Sequence, residues 1–165
     1  MTGLTTTTAF RANSVTKMKK VLFVCTGNTC RSPVAEALFN HLADSLDFSA
    51  SSCGIYGDGV SPVSKNAKAA LSEKGIEFSH TSTPISQDLL EDADFIIGMT
   101  ANHSRSIISL YPKYADKIFA MPVDISDPYG GDIETYRETL CEIEKCVKQL
   151  IKTLVDEDAH ENQTP

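Results

Sequence analysis

Residues 20–39 read KVLFVCTGNTCRSPVAEALF and join a strand, a short loop and the start of a helix. The run 21–24 is apolar without interruption, which is typical of a strand covered on both faces in a parallel sheet. From Pro33 onward apolar residues recur at helical spacing, and we predict Ser32 as the cap and Pro33 as the first helical residue. The loop from Cys25 to Arg31 therefore lies at the carboxyl end of a strand, where open α/β sheets bind ligands.

The residue types in this loop suit a bound anion. Backbone N–H groups from Thr26 to Ser32 can point inward if the loop curls, and we expect Gly27 to permit an unusual backbone torsion. We expect Asn28, whose side chain tolerates left-handed backbone and bonds locally, to fix the loop's shape. Such N–H groups at a helix N-terminus favour a phosphate-like dianion and, equally, a thiolate. We therefore expect the pKa of Cys25 to fall from about 8.5 into the range of about 3.5 to 7.5.

Arg31 and Ser32 extend this chemistry. Arg31 carries a planar fork of donors that can bind two phosphoryl oxygens at once, and Ser32 can donate its hydroxyl proton to the Cys25 sulfur. The alternative for a Cys-x5-Arg pattern is a buried structural cysteine near an incidental arginine. The strand, the glycine, the Ser-Pro pair and the helix in register favour the catalytic interpretation.

Two motifs resemble a known family. Residues 24–33, VCTGNTCRSP, are similar to the phosphate-binding loop of the low-molecular-weight protein tyrosine phosphatases, and residues 127–130, DPYG, are similar to the family's second signature. The resemblance extends over residues 19–155. It implies a hydrolase that cleaves phosphomonoesters or phosphoramidates through a phosphocysteine intermediate, without a metal or another cofactor.

Departure of the leaving group requires a proton, and we predict Asp127 as its donor. Composition alone does not distinguish Asp127 from Asp124 or Asp132. The resemblance does, because the aspartate of this signature is the family's general acid. Pro128 also imposes an extended backbone on Asp127, and a mobile loop containing Tyr129 is expected to follow.

The predicted site contains three catalytic residues. We expect Cys25 to attack phosphorus in line, Arg31 to hold the equatorial oxygens, and Asp127 to protonate the leaving atom and then to activate water. Cys30 has two interpretations: a partner for a reversible disulfide that protects Cys25 from over-oxidation, or a buried apolar residue under the loop. The expected substrate-binding residues are Thr26, Gly27, Asn28, Thr29, Cys30, Ser32 and Tyr129.

Thr29 bears on the substrate. Tyrosine-directed members of the resembled family usually carry an aliphatic residue at this loop position, whereas its protein arginine phosphatases resemble this sequence there and again in DPYGG, residues 127–131. We therefore predict a protein phosphatase for phosphoarginine, with phosphotyrosine as the alternative. A Thr29 hydroxyl bonded to its own backbone would weaken that argument.

Two other classes of protein are disfavoured. Arsenate reductases with this fold and loop relay oxidation to a pair of cysteines further along the chain, and here no cysteine lies between Cys53 and Cys141. A non-catalytic phosphate-binding module is disfavoured because it would not need these residues together.

Strand and helix patterns alternate along the chain. This alternation implies right-handed parallel crossovers and an α/β three-layer sandwich with helices on both faces of the sheet. The resemblance adds a four-stranded parallel sheet in the order 2-1-3-4. The remaining predicted strands are 48–55, 94–99 and 117–120, and the predicted helices are 33–46, 64–74, 85–90, 102–110 and 132–155. We expect a disordered extension at 1–17, the phosphatase domain at 18–156 and a frayed tail at 157–165.

Composition limits the binding partners and the cellular compartment that we expect. The chain has 165 residues, 41% of them apolar, which fits one domain, and no apolar run is long enough to span a membrane. A net charge of −7 argues against a nucleic-acid partner. Five cysteines, an odd number, with no Cys-x2-Cys pair and no secretory signal argue against disulfides and zinc and for the cytoplasm. Phosphorylated proteins are the expected partners, and a monomer is the default expectation.

Overall fold

The computed structural model describes residues 17–163, so the predicted extension at 1–17 falls outside the described residues except for Lys17. The described part contains four strands and five α-helices in alternation. The strands are β1 (Lys19–Cys25), β2 (Phe48–Gly54), β3 (Phe95–Gly98) and β4 (Ile118–Ala120). The helices are α1 (Arg31–Leu42), α2 (Lys65–Glu73), α3 (Gln87–Asp92), α4 (Ala101–Leu110) and α5 (Ile133–Glu161), with a 3-10 helix at Pro112–Lys117 before β4.

The four strands form one parallel sheet in the order β2-β1-β3-β4, which confirms the predicted order. The central strand β1 is buried on both faces. Val21 and Phe23 pack into one apolar layer, and Leu22 and Val24 pack into the other. Because β2 lies on one side of β1 and β3 on the other, the connections leave β1 in opposite directions, and the loop after Cys25 opens into the crevice between them.

Helices cover both faces of the sheet and complete the predicted three-layer sandwich. The layer under Phe23 contains buried residues of α1, α2 and α5, such as Leu38, Leu71 and Ile143. The opposite layer contains buried residues of α3 and α4, such as Leu90. Each such side chain contributes about 1.5–3 kcal/mol when it leaves water. The site loop is therefore anchored between two well-packed elements, β1 and α1.

The start of α1 differs from the prediction. The helix begins at Arg31 with Cys30 as its N-cap residue and without a capping side chain, so Ser32 is not the cap and Pro33 is not the first helical residue. The Ser32 hydroxyl contacts the Cys25 sulfur and the Asn28 amide instead. The helix also ends at Leu42 rather than near residue 46, because the chain must turn in time to pair Phe48 with β1.

The last helix is longer than predicted. α5 continues through residues 157–161, where we expected a frayed tail, and the domain therefore extends beyond residue 156. Lys19 at the start of β1 holds this end of the helix, with its Nζ 2.9 Å from Asp158 Oδ1 and 3.0 Å from Glu161 Oε2. No helix within residues 17–163 combines the length and hydrophobicity that a membrane span requires.

Candidate active site

The loop after β1 surrounds a small cavity of about 210 Å³. The loop curls around it, and the segment before α5 closes its mouth. Its walls bring together most of the residues that the sequence singled out. They are Cys25, Thr26, Gly27, Asn28, Thr29, Cys30, Arg31, Asp127 and Tyr129. The remaining predicted residue, Ser32, lies fully buried beneath the loop.

The loop's left-handed torsion lies at Asn28, in agreement with the expected tolerance of asparagine, and not at Gly27. Asn28 has φ 57° and is the one non-glycine residue with positive φ within residues 17–163, whereas Gly27 is outside the left-handed region. Asparagine tolerates this conformation because its short side chain can hydrogen-bond locally. Gly54 on β2 is the glycine that the loop requires, since a Cβ there would lie 2.6 Å from the Thr26 carbonyl oxygen.

The side chain of Asn28 ties the loop to its surroundings with four hydrogen bonds. Its amide nitrogen donates to Ser32 Oγ at 2.8 Å and to Ser52 Oγ at 3.0 Å. Its amide oxygen accepts from His80 Nε2 at 2.6 Å and from the Thr83 backbone N–H at 2.8 Å. Because Asn28 is fully buried, these bonds are shielded from competing water and hold the loop in one shape.

The sulfur of Cys25 faces donors from the loop. Ser32 Oγ lies 2.8 Å from Cys25 Sγ, and the Asn28 backbone N–H donates to the sulfur at 3.3 Å. Ser32 Oγ accepts from the Asn28 amide, and its own proton can go to the sulfur at 2.8 Å or to the more distant Cys53 carbonyl at 3.4 Å. The arrangement therefore has donors in place for a thiolate.

The expected fall of the Cys25 pKa is not found. Burial raises the pKa of the Cys25 thiol, and the hydrogen bonds from Ser32 and Asn28 and the charge of Arg31 lower it without reversing the rise. The sulfur is almost entirely withdrawn from water, with 3% of the residue exposed. Counting the hydrogen-bond donors of the loop overlooks desolvation, which penalises the charged form of the thiol.

Arg31 and Asp127 meet at the mouth of the cavity. The Arg31 guanidinium is buried; its Nη1 donates to the Ile125 carbonyl at 3.1 Å, and its Nη2 lies 3.6 Å from Asp127 Oδ2. The other Asp127 oxygen accepts from the Tyr129 backbone N–H at 3.1 Å. The Asp127 side chain is 54% exposed, so it can reach a group that enters the cavity from solvent.

Two further residues, His80 and Glu36, support Asn28 from below, and the sequence did not assign either of them a role. His80 Nδ1 lies 3.4 Å from Glu36 Oε2, and Ser52 Oγ donates to the same oxygen at 2.9 Å. Burial raises the pKa of Glu36 to about 7, a rise that the Ser52 hydrogen bond limits, and burial lowers the pKa of His80. Both shifts favour the neutral forms of these groups, and His80 then donates its Nε2–H to the Asn28 amide oxygen.

His103 is another residue that the sequence analysis missed. The Thr100 backbone N–H donates to its Nδ1 at 3.2 Å, so the neutral ring carries its proton on Nε2, which donates to Thr26 Oγ1 at 2.9 Å. Burial, aided by the charge of Arg31, lowers the pKa of His103 to about 4. His103 thus joins the first turn of α4 to the loop. A lone histidine at the start of a helix gives no sequence signal for such a link.

The remaining cysteines have separate surroundings. Cys30 is buried under the loop, with its Sγ 3.3 Å from the Tyr136 hydroxyl oxygen, and all five cysteines are free thiols. The reversible Cys25–Cys30 disulfide stays a prediction. Within residues 17–163 no group of histidine, cysteine, aspartate and glutamate side chains is arranged to hold a metal ion.

Comparison with known proteins identifies the family to which the chain belongs. The sequence model of the low molecular weight phosphotyrosine protein phosphatases matches residues 20–160. The chain belongs to this family. This low molecular weight phosphatase is 39% identical over 143 residues to a protein-arginine-phosphatase of Bacillus subtilis, an alignment that covers 81% of this chain and 95% of the relative.

The relatives include proteins named as arginine phosphatases and proteins named as tyrosine phosphatases. A low molecular weight protein-tyrosine-phosphatase of Staphylococcus haemolyticus is 32% identical over 129 residues, covering 73% of this phosphatase and 88% of the relative. A solved arginine phosphatase, a cysteine-to-serine mutant with a phosphorylated active site serine, is 39% identical with a TM-score of 0.77, covering 82% of this chain and 95% of that one. The fold and the family are thus shared across the two substrate classes.

Proposed function

We propose that this phosphatase hydrolyses phosphoarginine side chains of proteins through a phosphocysteine at Cys25. The observation that supports it most is the single cavity of about 210 Å³ whose walls hold the Cys25 sulfur, the Arg31 guanidinium and the Asp127 carboxyl group together. A nucleophile, an anion-binding cation and a proton donor around one small space are the parts that phosphoryl transfer needs.

The proposed reaction has two steps. The Cys25 thiol first releases its proton to water, and the resulting thiolate attacks phosphorus, forming the P–S bond as the P–N bond breaks. Arg31 and the loop N–H groups hold the three phosphoryl oxygens, and Asp127 protonates the departing guanidine nitrogen. Water then attacks phosphorus, the Asp127 carboxylate takes its proton, and the P–S bond breaks to release inorganic phosphate. The Ser32 hydroxyl stabilises the thiolate that enters the first step and leaves the second.

Thr29 supports arginine as the substrate. It lines the cavity, and its hydroxyl oxygen lies 3.7 Å from Cys30 Sγ rather than bonding to its own backbone. This hydroxyl is therefore available to a guanidinium, which is rich in N–H donors and offers no apolar ring face to an aliphatic residue. The named activity of the Bacillus subtilis relative points the same way.

Phosphotyrosine is the second candidate. The Tyr129 ring is 80% exposed at the mouth of the cavity, where it can stack on a phenyl ring as well as on a guanidinium. The staphylococcal relative is named for tyrosine. In either case the thiol of Cys25 must stay reduced, which is why we propose a cytoplasmic setting.

A side-by-side measurement of kcat/KM on matched phosphoarginine, phosphotyrosine and phosphoserine peptides tests the proposal. We expect phosphoarginine to be preferred and Cys25→Ser to abolish turnover of all three and of para-nitrophenyl phosphate. Thr29→Ile should lower kcat/KM on phosphoarginine about 5- to 10-fold, the loss of one polar contact, and not on phosphotyrosine. A wild-type preference for phosphotyrosine would refute the arginine assignment.

A further inference from the structure

A second, larger cavity opens beside the catalytic one. It is a surface groove of about 800 Å³, within the range of about 300–1,000 Å³ typical of ligand sites. The groove and the catalytic cavity share Thr26 and Arg31 in their walls. The other walls of the groove are formed by α4 and by residues 55–56 after β2. A chain segment whose side chain enters the catalytic cavity therefore has this groove directly beside it.

The charged side chains that line the groove are cationic. No aspartate or glutamate lines it, although acidic residues outnumber basic ones by 22 to 15 in the whole sequence. Its two cations are Arg31, whose guanidinium is already bound within the catalytic site, and Arg105 on the exposed face of α4. The wall of the groove thus carries cationic side chains on an acidic protein, with the carboxylates of Asp127 and Asp124 next to its Arg31 and Ala101 end.

Arg105 is held in place without being neutralised. Its Nη2 donates to the Asn102 side-chain oxygen one turn earlier on α4, and within residues 17–163 it forms no ion pair with a carboxylate. The start of α4 is itself fastened to the site loop through His103 and Thr26. Arg105 therefore presents an unpaired charge in a groove wall that α4 fastens to the site loop.

The rest of the wall suits a polypeptide. Ser106 and Ser109 provide hydroxyl groups along one side of the groove, and the Tyr56 ring, 79% exposed, stands on the other. Hydroxyl groups can bond a passing backbone, and an exposed aromatic ring offers contact area at low entropic cost. These features are those of a surface that binds an extended chain next to a charged anchor.

We propose that the groove binds the substrate polypeptide beside the phosphorylated residue and that Arg105 selects an acidic side chain there. The inference rests on the proposed function, since the phosphorylated side chain must occupy the catalytic cavity at the same time. Because the groove lies on one side of that cavity, the selection applies to positions on one side of the phosphorylated residue. Arg105 is then a specificity residue outside the reacting atoms.

The test is a panel of phosphoarginine peptides with Asp, Asn or Lys placed singly at each of three positions on either side of the phosphorylated residue. We expect kcat/KM for Asp over Lys to be about 3- to 10-fold at low ionic strength, on one side only, and to shrink as salt screens the charges. Arg105→Gln should bring this ratio close to one, and Arg105→Glu should invert it.

The matched control is Lys152→Gln, which removes the same charge from the exposed face of α5 and should leave the ratio as in the wild type. A ratio near one in the wild type, or one that survives Arg105→Gln, would overturn the groove proposal. The same panel built on phosphotyrosine separates the two hypotheses. Peptides cleaved only with phosphotyrosine would refute the arginine assignment, while an Arg105-dependent ratio on them would still support the groove.

Discussion

Replacement of Asn28 by alanine should destabilise this phosphatase more than any ordinary loop substitution. The change removes four side-chain hydrogen bonds at a fully buried position and leaves two donors, the His80 ring N–H and the Thr83 backbone N–H, without their acceptor. Each such unsatisfied group costs about 1–3 kcal/mol. The left-handed backbone at this position, with φ 57°, also costs alanine about 1–2 kcal/mol of conformational free energy.

Together these terms predict a loss of about 3–8 kcal/mol in the free energy of unfolding, a large share of the roughly 5–15 kcal/mol typical of a domain. Urea denaturation at pH 7 measures it. Asn28→Gly removes the same hydrogen bonds but accepts the torsion, so it should recover about 1 kcal/mol relative to Asn28→Ala.

Asn40→Ala is the matched control. Asn40 also makes two side-chain hydrogen bonds, to the backbone of Ala50, but it lies exposed on α1 in a helical conformation that alanine favours. Its replacement should cost about 1 kcal/mol or less. An Asn28→Ala variant no less stable than Asn40→Ala would refute the view that this amide organises the loop.

Three further substitutions test neighbouring parts of the site. Ser32→Ala should raise the pKa of Cys25 further and lower kcat about 10- to 100-fold, because a donor to the thiolate is lost; iodoacetate alkylation against pH should show the midpoint moving upward. The free energy of unfolding of the wild type should fall by about 3 kcal/mol as the pH rises from about 4.5 to about 7, because the folded state holds the Glu36 proton up to a pKa of about 7 against an ordinary 4.5. Glu36→Gln should abolish this fall. Urea denaturation at pH 4.5 and pH 8 measures that difference, and parallel curves for the two proteins would contradict it. Arg31→Lys should lower kcat about 100- to 1,000-fold while leaving the fold intact, because a lysine cannot grip two oxygens in one plane; an activity within a few fold of the wild type would exclude the two-oxygen contact.

The sheet and its central loop were predictable because local pattern and global fold agree there. The apolar run before Cys25 and the helical spacing after Pro33 each point to one structure, and the alternation of the remaining segments points to parallel crossovers. The strand order came from the family resemblance rather than from periodicity. Cys25, Arg31 and Asp127 were identified by motif, and the fold places all three at one cavity.

The errors have a common physical origin. The unusual torsion expected at Gly27 is absent, because Asn28, whose tolerance of left-handed backbone the sequence did indicate, takes that conformation and is held there by its side-chain hydrogen bonds. The cap assigned to Ser32 failed because its hydroxyl has a better use at the Cys25 sulfur. The expected fall in the pKa of Cys25 ignored desolvation, a property of the packed fold rather than of the loop.

The supporting residues could not have been predicted for a similar reason. His80, Glu36 and Ser52 come from three separate segments, and only the pairing of β1 with β2 and the packing of α1 bring them under Asn28. Nothing in the spacing of these residues marks them.

Intact-mass spectrometry of the quenched enzyme tests the central claim most directly. Wild-type protein mixed with a phosphoarginine peptide and stopped in acid within the first turnover should carry one added phosphoryl group, and fragmentation should place that group on the Cys25 sulfur. Asp127→Ala should accumulate more of this species when para-nitrophenyl phosphate, whose leaving group needs little protonation, replaces the peptide. A phosphoryl group on any other side chain, or turnover with no phosphorylated enzyme in either protein, would contradict the account.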